Sequence, residues 1–303
     1  MINYSIIIPH KNSIASLLRL CDSISDDNDI QIIVIDDCSG LNVLNEIKKN
    51  NFNNNVEIIF CDVSKGAGAA RNIGINHAKG KWVLFADADD YFTDNFDDLL
   101  NKFLDSASDV VYFDTDSQDD NGDQSYRHLR YSKLVHDFLN DSRKENSLKY
   151  YFTPPWSKMI KRDLIIKNNI KFDEVVASND VMFSMKMAYF AANIEACKYV
   201  LYMITLSKGS VTQIISKAHF NSKFRTALNA NKFLCSIGMK KYQQSILYFL
   251  GKSYKFGFFY FIYVILSILG NRSNIFIGMS KFIKLNTVLR ERENKNFITK
   301  KNN

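Results

Sequence analysis

The chain has 303 residues, of which 46% are apolar and 23% charged, enough for a sizeable core and too apolar for a disordered chain. Its 39 Lys and Arg against 32 Asp and Glu give a net charge of +7, which suits anionic partners such as nucleic acid, acidic lipid headgroups or phosphorylated metabolites without choosing among them. The five cysteines, Cys21, Cys38, Cys61, Cys197 and Cys235, are scattered and include no Cys-x-x-Cys pair, which argues against a zinc or redox centre and for a reducing compartment.

In chain order, apolar runs of strand length are predicted over residues 4–9, 30–36, 56–62 and 82–87, separated by helix-length segments over 13–24, 41–50 and 67–78. This strand-helix-strand rhythm predicts an α/β fold with a mostly parallel, Rossmann-like sheet. The run over 30–35 is apolar almost throughout, as expected of a strand covered on both faces. A helix over 95–105 and a strand over 109–113 follow. Residues 114–123, with Asp114, Asp116, Asp119, Asp120 and Asp123, read as a solvated loop. Residues 124–215 then mix helices with short strands. From about 219 onward the chain is Lys-rich, aromatic and helical, and 290–303 is expected to fray. The expected division is an α/β domain over 1–215 and a helical, basic, aromatic region over 216–303.

The first residues lack the basic-then-apolar pattern of a signal peptide. The longest apolar run, over 256–269, is about 14 residues, short of the roughly 18–20 needed to cross a bilayer. With the run over 246–250 and the surrounding lysines, it reads either as a membrane-interface segment or as core packed on the α/β domain.

In an open parallel sheet a ligand sits at the carboxyl ends of the strands. Here those ends are acidic: Asp36-Asp37, then Asp62, then Asp87-Ala88-Asp89-Asp90. An Asp in such a place is commonly a turn or cap residue. The last cluster is sharper, because three adjacent carboxylates repel unless a cation sits among them, and Mg²⁺ or Mn²⁺ favours such oxygens together with substrate phosphates. Gly66-Ala67-Gly68-Ala69-Ala70-Arg71 resembles a dinucleotide fingerprint, but Arg71 stands where its third glycine belongs. A helix start bearing an arginine suits a phosphate group instead.

In these residues the chain resembles the family-two, GT-A-fold glycosyltransferases of bacterial surface-polysaccharide synthesis, such as that of capsule, O-antigen and lipopolysaccharide. The resemblance runs through Ser5-Ile6-Ile7-Ile8-Pro9, Val34-Ile35-Asp36-Asp37-Cys38-Ser39, Gly68-Ala69-Ala70-Arg71-Asn72-Ile73-Gly74 and Phe85-Ala86-Asp87-Ala88-Asp89-Asp90-Tyr91. It continues through Trp156-Ser157-Lys158-Met159, Phe172-Asp173-Glu174, Ser178-Asn179-Asp180, Tyr202 and Gly209-Ser210-Val211-Thr212, about 210 residues in all.

The resemblance implies a donor site formed by Pro9, Asp37, Arg71, Asp87 and Lys208, with Asp37 at the base of a nucleotide-diphosphate sugar, most readily a UDP-sugar. It implies an Asp-x-Asp motif at the diphosphate, with Asp89 as ligand to Mn²⁺ or Mg²⁺. It makes Asp180 the base of an inverting displacement, although Asn179 stands where the family has Glu. It further implies a saccharide acceptor, lipid-linked, with no nucleic acid partner, and a cytoplasmic location with peripheral contact at the inner membrane through the C-terminal region. Two other classes stay open: a nucleotidyltransferase, disfavoured because Pro9-His10-Lys11-Asn12 replaces a Gly-rich, Lys-bearing loop, and a non-catalytic binder of sugar nucleotides, favoured by Asn179.

Overall fold

The computed structural model describes residues 1–206, 216–271 and 273–277. The N-terminal rhythm is realised as β1 (Tyr4–His10), α1 (Ile14–Asp22), β2 (Ile30–Asp36), α2 (Leu41–Lys49), β3 (Val56–Phe60), α3 (Ala67–His77) and β4 (Trp82–Phe85). These four strands are parallel, in the spatial order β3-β2-β1-β4. Every residue of β2 is buried, as its near-continuous β-branched run requires of a strand covered on both faces. The one polar interior residue, Gln31, is satisfied by the Ser5 hydroxyl and the His77 carbonyl. Gly74 of α3 lets that helix lie directly on the sheet: a Cβ there would stand 2.4 Å from a methyl of Ile7.

The second half comprises β5 (Tyr91–Phe92), α4 (Phe96–Phe103), β6 (Val110–Asp119), α5 (Leu129–Asn140), α6 (Glu145–Tyr151), β7 (Lys158–Lys161), α7 (Arg162–Lys167), α8 (Val181–Phe190) and β8 (Ile194–Leu206). It extends the sheet to β3-β2-β1-β4-β7-β6-β8-β5. β7 runs antiparallel between β4 and β6, β8 is parallel to β6, and β5 closes the edge antiparallel to β8. One core cluster spans both halves, from Tyr4 to Ile204.

The solvated loop expected over 114–123 is instead largely strand: β6 continues to Asp119 beside β8. The side chains of Asp114, Thr115 and Ser117 are buried with partners. The Thr115 hydroxyl donates to the Tyr202 carbonyl, Asp114 meets His136, and Ser117 meets His128 and Ser125. A polar strand interior is tolerated when each group is paired across the sheet, and composition alone does not show that pairing.

The C-terminal helices are α9 (Lys217–Ser236), α10 (Leu247–Ser253) and α11 (Phe258–Gly270). Helix α9 joins α6 and α8 through a cluster containing Tyr150, Val181, Met185, Ala230, Leu234 and Tyr242. Helices α10 and α11 pack on its N-terminal half through Phe220, Phe224, Ile246, Val264 and Ile268. The segment expected to fray, 290–303, lies outside the described residues.

Candidate active site

The carboxyl ends of β1 and β2 are locked by short polar contacts. The buried Asp36 carboxylate accepts from the Ser39 N–H at 2.8 Å and the Ser39 hydroxyl at 2.6 Å. It also lies 2.8 Å from His10 Nδ1, whose ring accepts the Ser13 N–H at Nε2, so Nδ1 carries the proton that Asp36 accepts. Asp37 is likewise buried. It accepts from the Ser64 hydroxyl at 2.6 Å and from the N–H groups of Lys65 at 2.8 Å and Gly66 at 3.1 Å, with the Lys11 ammonium 3.7 Å away. Asp37 thereby fixes the turn that opens α3, where Gly66 has a positive φ of 84° that suits glycine. Pro9, half-buried, sits at the same edge of the sheet, opposite Ile35.

Arg71 projects from α3 and is 5% exposed. Its guanidinium bonds Asp87 at 2.5 Å and the Asn179 side-chain oxygen at 2.8 Å, and it lies over the Phe172 ring, 5.3 Å from the ring centre. Its Nε is buried with no hydrogen-bond partner among the described residues. Next to it, the Asn72 amide clamps the Phe172 backbone, donating to its carbonyl at 3.0 Å and accepting its N–H at 2.9 Å. Gly68 completes the seat: a Cβ there would lie 2.2 Å from the Asp173 carbonyl oxygen. The Gly68-to-Asn72 motif is therefore the surface on which the segment 172–180 rests, in addition to being a helix start.

Beyond β4, the three clustered carboxylates divide into two kinds. Asp90 is buried, accepting the Thr205 N–H at 2.7 Å and a hydrogen bond from Tyr202, and burial with the charges of Asp89 and Asp87 pushes its carboxyl well up. It is a structural acid. Asp87 remains partly open beside Arg71, its own N–H donating to the Tyr202 hydroxyl at 2.8 Å. Asp89 is half-buried, and burial followed by the Asp87 charge raises its carboxyl above the usual range. Arg19 of α1 holds the Asp89 carbonyl at 2.6 Å and the Thr205 hydroxyl at 3.0 Å.

Asp180 stands at the N-cap position of α8, yet its side chain makes no capping hydrogen bond. Burial raises its carboxyl; the Arg71 charge opposes that rise and the Asp87 charge adds to it. Lys158, fully buried on β7, donates to the Phe152 carbonyl at 2.8 Å and to that of Pro154, gathering the turn that the Ser184 hydroxyl of α8 holds at Thr153. Burial pushes the Lys158 ammonium well down, with the Asp180 charge opposing.

Arg71, Asp87, Asn179 and Asp180 are thus brought into one cluster, with Asp89 two residues further along the same loop. Asp37 and Pro9 stand at the neighbouring strand ends, and Lys208 lies outside the described residues. Sequence reasoning assigned no role to Arg19, Asn72 or Lys158, and gave Tyr202 only as a motif echo. The visible signal for Lys158 is its place in the Trp156-Ser157-Lys158-Met159 echo of the family motif.

Residues 5–168 match the sequence profile of glycosyl transferase family 2. The chain belongs to that family. Among its relatives is the poly(ribitol-phosphate) beta-N-acetylglucosaminyltransferase TarS of Staphylococcus aureus, 26% identical over 203 residues, which are 64% of this chain and 33% of TarS. Another is the poly(ribitol-phosphate) beta-glucosyltransferase of Bacillus spizizenii, 30% identical over 199 residues, which are 62% of this chain and 30% of that protein. The chain therefore matches about a third of the length of each. The crystal structure of S. aureus TarS residues 1–349 in complex with UDP-GlcNAc superposes with a TM-score of 0.63 at 20% identity, covering 87% of this chain and 79% of that one. That likeness establishes the GT-A fold for this family-two glycosyltransferase.

Proposed function

We propose that the chain transfers a sugar from a UDP-sugar to a lipid-linked saccharide acceptor, with inversion, in the synthesis of a surface polysaccharide such as capsule or O-antigen. Residues 1–215 would form the transferase domain, and residues 216–303 a helical region holding it at the cytoplasmic face of the membrane. The observation that carries the reading is Arg71, whose guanidinium bonds Asp87 on one side and Asn179 on the other, directly before the uncapped Asp180. One buried cation thereby ties Asp87 to the residue next to Asp180. The nucleotide half of the donor is supported by what TarS binds in its crystal structure, UDP-GlcNAc.

In this reading Pro9, Asp37 and the turn that Asp37 holds line the base, while Arg71 and Lys208 face the diphosphate. The acceptor hydroxyl oxygen attacks the anomeric carbon, the bond from that carbon to the diphosphate oxygen breaks, and the electron pair leaves with the diphosphate. Asp180 takes the hydroxyl proton. Burial raises Asp180 toward the pH at which a base both ionises and accepts a proton well.

The carboxylates of Asp87 and Asp89 fit a divalent cation shared with the donor. Burial, and after it the Asp87 charge, raises Asp89, and a cation would relieve that repulsion. Among the described residues no set of three His, Cys, Asp or Glu could hold an ion unaided, and Mn²⁺ or Mg²⁺ bound by two carboxylates plus phosphate oxygens needs none. Such an ion would neutralise charge on the diphosphate.

The test is nucleoside-diphosphate release from a panel of nucleotide sugars in Mn²⁺, with a lipid-diphosphate-linked sugar as acceptor. Acceptor-stimulated turnover of one UDP-sugar is expected, and release from none of them would overturn the proposal. Asp89→Ala should weaken donor binding about tenfold or more in Mn²⁺ while keeping the melting temperature. Wild-type affinity would remove Asp89 from the metal site.

A further inference from the structure

Helix α11 has two apolar faces. Val264 and Ile268 are buried in the cluster built on Phe220 and Phe224 of α9. The opposite face carries Phe259, Ile262, Tyr263, Leu266 and Leu269, at the three- and four-residue spacing of one helical stripe, with Phe259 87% and Leu266 63% exposed. Phe258, at the start of the helix, and Tyr254, in the turn before it, are exposed as well. From Phe256 to Asn271 the sequence holds no charged residue. A helix lying on the surface of a water-soluble domain turns its polar face outward, so this stripe is built for a non-aqueous neighbour.

The chemistry of that neighbour is set by charge. Between Glu195 and Glu291 the sequence contains no Asp or Glu, whereas the same stretch contains 14 Lys or Arg. Residues 1–195, in contrast, hold 30 Asp and Glu against 21 Lys and Arg. The whole-chain charge of +7 therefore hides an acidic catalytic part and a strongly basic C-terminal part. Exposed Lys252 and Lys255 stand just ahead of the apolar stripe, with exposed Lys240 and Lys241 upstream. Aromatic and aliphatic side chains on one face, bordered by lysines, match an anionic bilayer interface. The helix is 13 residues, about 20 Å long, against a hydrocarbon core of about 30 Å. Among the described residues no helix is long and apolar enough to cross a membrane.

We infer that α11 lies in the plane of an anionic membrane surface, with Phe259, Tyr263 and Leu266 inserted among the lipids and Lys252 and Lys255 on the headgroups. This names the face through which the membrane contact proposed above is made, and it rests on that reading. It also fixes an orientation. The Tyr260 hydroxyl donates to Asn221 of α9 and the Lys217 ammonium lies over the Tyr260 ring, while Ser222, one residue after Asn221, exchanges hydrogen bonds with the Ala177 backbone at 3.2 and 2.8 Å. Ala177 is three residues ahead of Asp180. The docked helix thus holds the loop bearing the proposed base beside the lipid surface, where a lipid-linked acceptor is presented.

Co-sedimentation of the full chain with phosphatidylcholine vesicles, with and without phosphatidylglycerol, tests this independently of sugar transfer. Binding to the anionic vesicles is expected, reduced about tenfold or more by Phe259→Ser with Leu266→Ser, and separately by Lys252→Glu with Lys255→Glu, without change in melting temperature. Because the readout is lipid binding, failure of the transferase reading leaves the result intact. No binding to either vesicle overturns the inference. Binding that responds to the lysines and not to Phe259 and Leu266 also overturns it, since adsorption alone would explain that. A Leu266→Trp variant of the full chain should fluoresce as a water-exposed indole in buffer and shift to the blue on anionic vesicles. Emission already blue in buffer and unchanged by vesicles would mean that a second copy or another part of the chain covers the stripe, and would overturn the inference as well.

Discussion

The two sides of the candidate site treat their carboxylates in opposite ways. On the β1–β2 side, Asp36 and Asp37 are saturated with donors from Ser39, His10, Ser64, Lys65 and Gly66. On the α8 side, Asp180 occupies an N-cap position without using its side chain as a cap, and its carboxyl is raised by burial. A saturated carboxylate is a fixed piece of scaffold that shapes a binding turn. An under-bonded, partly buried one is held at a cost that chemistry can use. The contrast separates residues that build the proposed donor site from the residue proposed to move a proton.

The sharpest way to break this contrast is Asp180→Asn. The change is nearly isosteric and Asn caps a helix about as well as Asp, so stability and donor binding should persist while transfer falls by about 10²- to 10⁴-fold. The wild-type profile should also lose activity as pH falls through the Asp180 pKa, because the base works as the carboxylate. Since burial raises that pKa, this acid limb lies above the ordinary Asp value of about 4. Activity of the variant close to wild type would reduce Asp180 to a silent helix-end residue and move the search to Asp173 or Glu174.

Two glycines on α3 sharpen the same comparison. Gly68 faces the loop that carries Asp180, with its missing Cβ 2.2 Å from a backbone oxygen, whereas Gly74 faces the sheet, 2.4 Å from a side-chain methyl. Gly68→Ala should displace the segment 172–180 and cut transfer by about 10²-fold, the scale of a misplacement near 1 Å at a reacting group. Gly74→Ala should cost about 1–3 kcal/mol of stability through overpacking, with kcat per folded enzyme little changed. Equal losses of activity and stability in both variants would show that α3 has no separate site-building face. Steady-state kinetics and thermal melts on the two proteins supply both readouts.

Much of this was legible in the sequence. β1 to β4 and the helices between them followed from apolar runs of strand length and from helix-length spacers, because a doubly covered sheet leaves little room for polar interior residues. β6 beyond Phe113 was not legible: Asp114, Thr115 and Ser117 look like loop residues until His136, Tyr202 and His128 are placed opposite them. In the acidic cluster at 87–90 the resemblance singles out Asp87 and Asp89 and leaves Asp90 without a role, and the packing of Thr205 and Tyr202 shows that Asp90 is structural. Asn72 and Lys158 escaped for the same reason, since their partners are backbone carbonyls more than five residues away or hidden in a turn.

The smallest expected effect concerns Asn179, which stands where the family's Glu was expected and thereby favoured a non-catalytic binder. In the structure its amide oxygen accepts from Arg71 at 2.8 Å, so the orienting contact exists without a negative charge. Asn179→Asp keeps the shape and adds a carboxylate beside Asp180. A like charge should raise Asp180 further, and the Arg71 guanidinium, already shared with Asp87, should absorb part of that rise. The acid limb of kcat/KM should therefore move to higher pH, costing about two- to threefold on the acid side of the limb and nothing well above it. An unmoved limb would mean that the Asn179 position is electrically isolated from the base. A loss of tenfold or more at every pH would mean that the neutral amide is itself required, with Arg71 drawn away from Asp87 by the stronger charge-assisted bond.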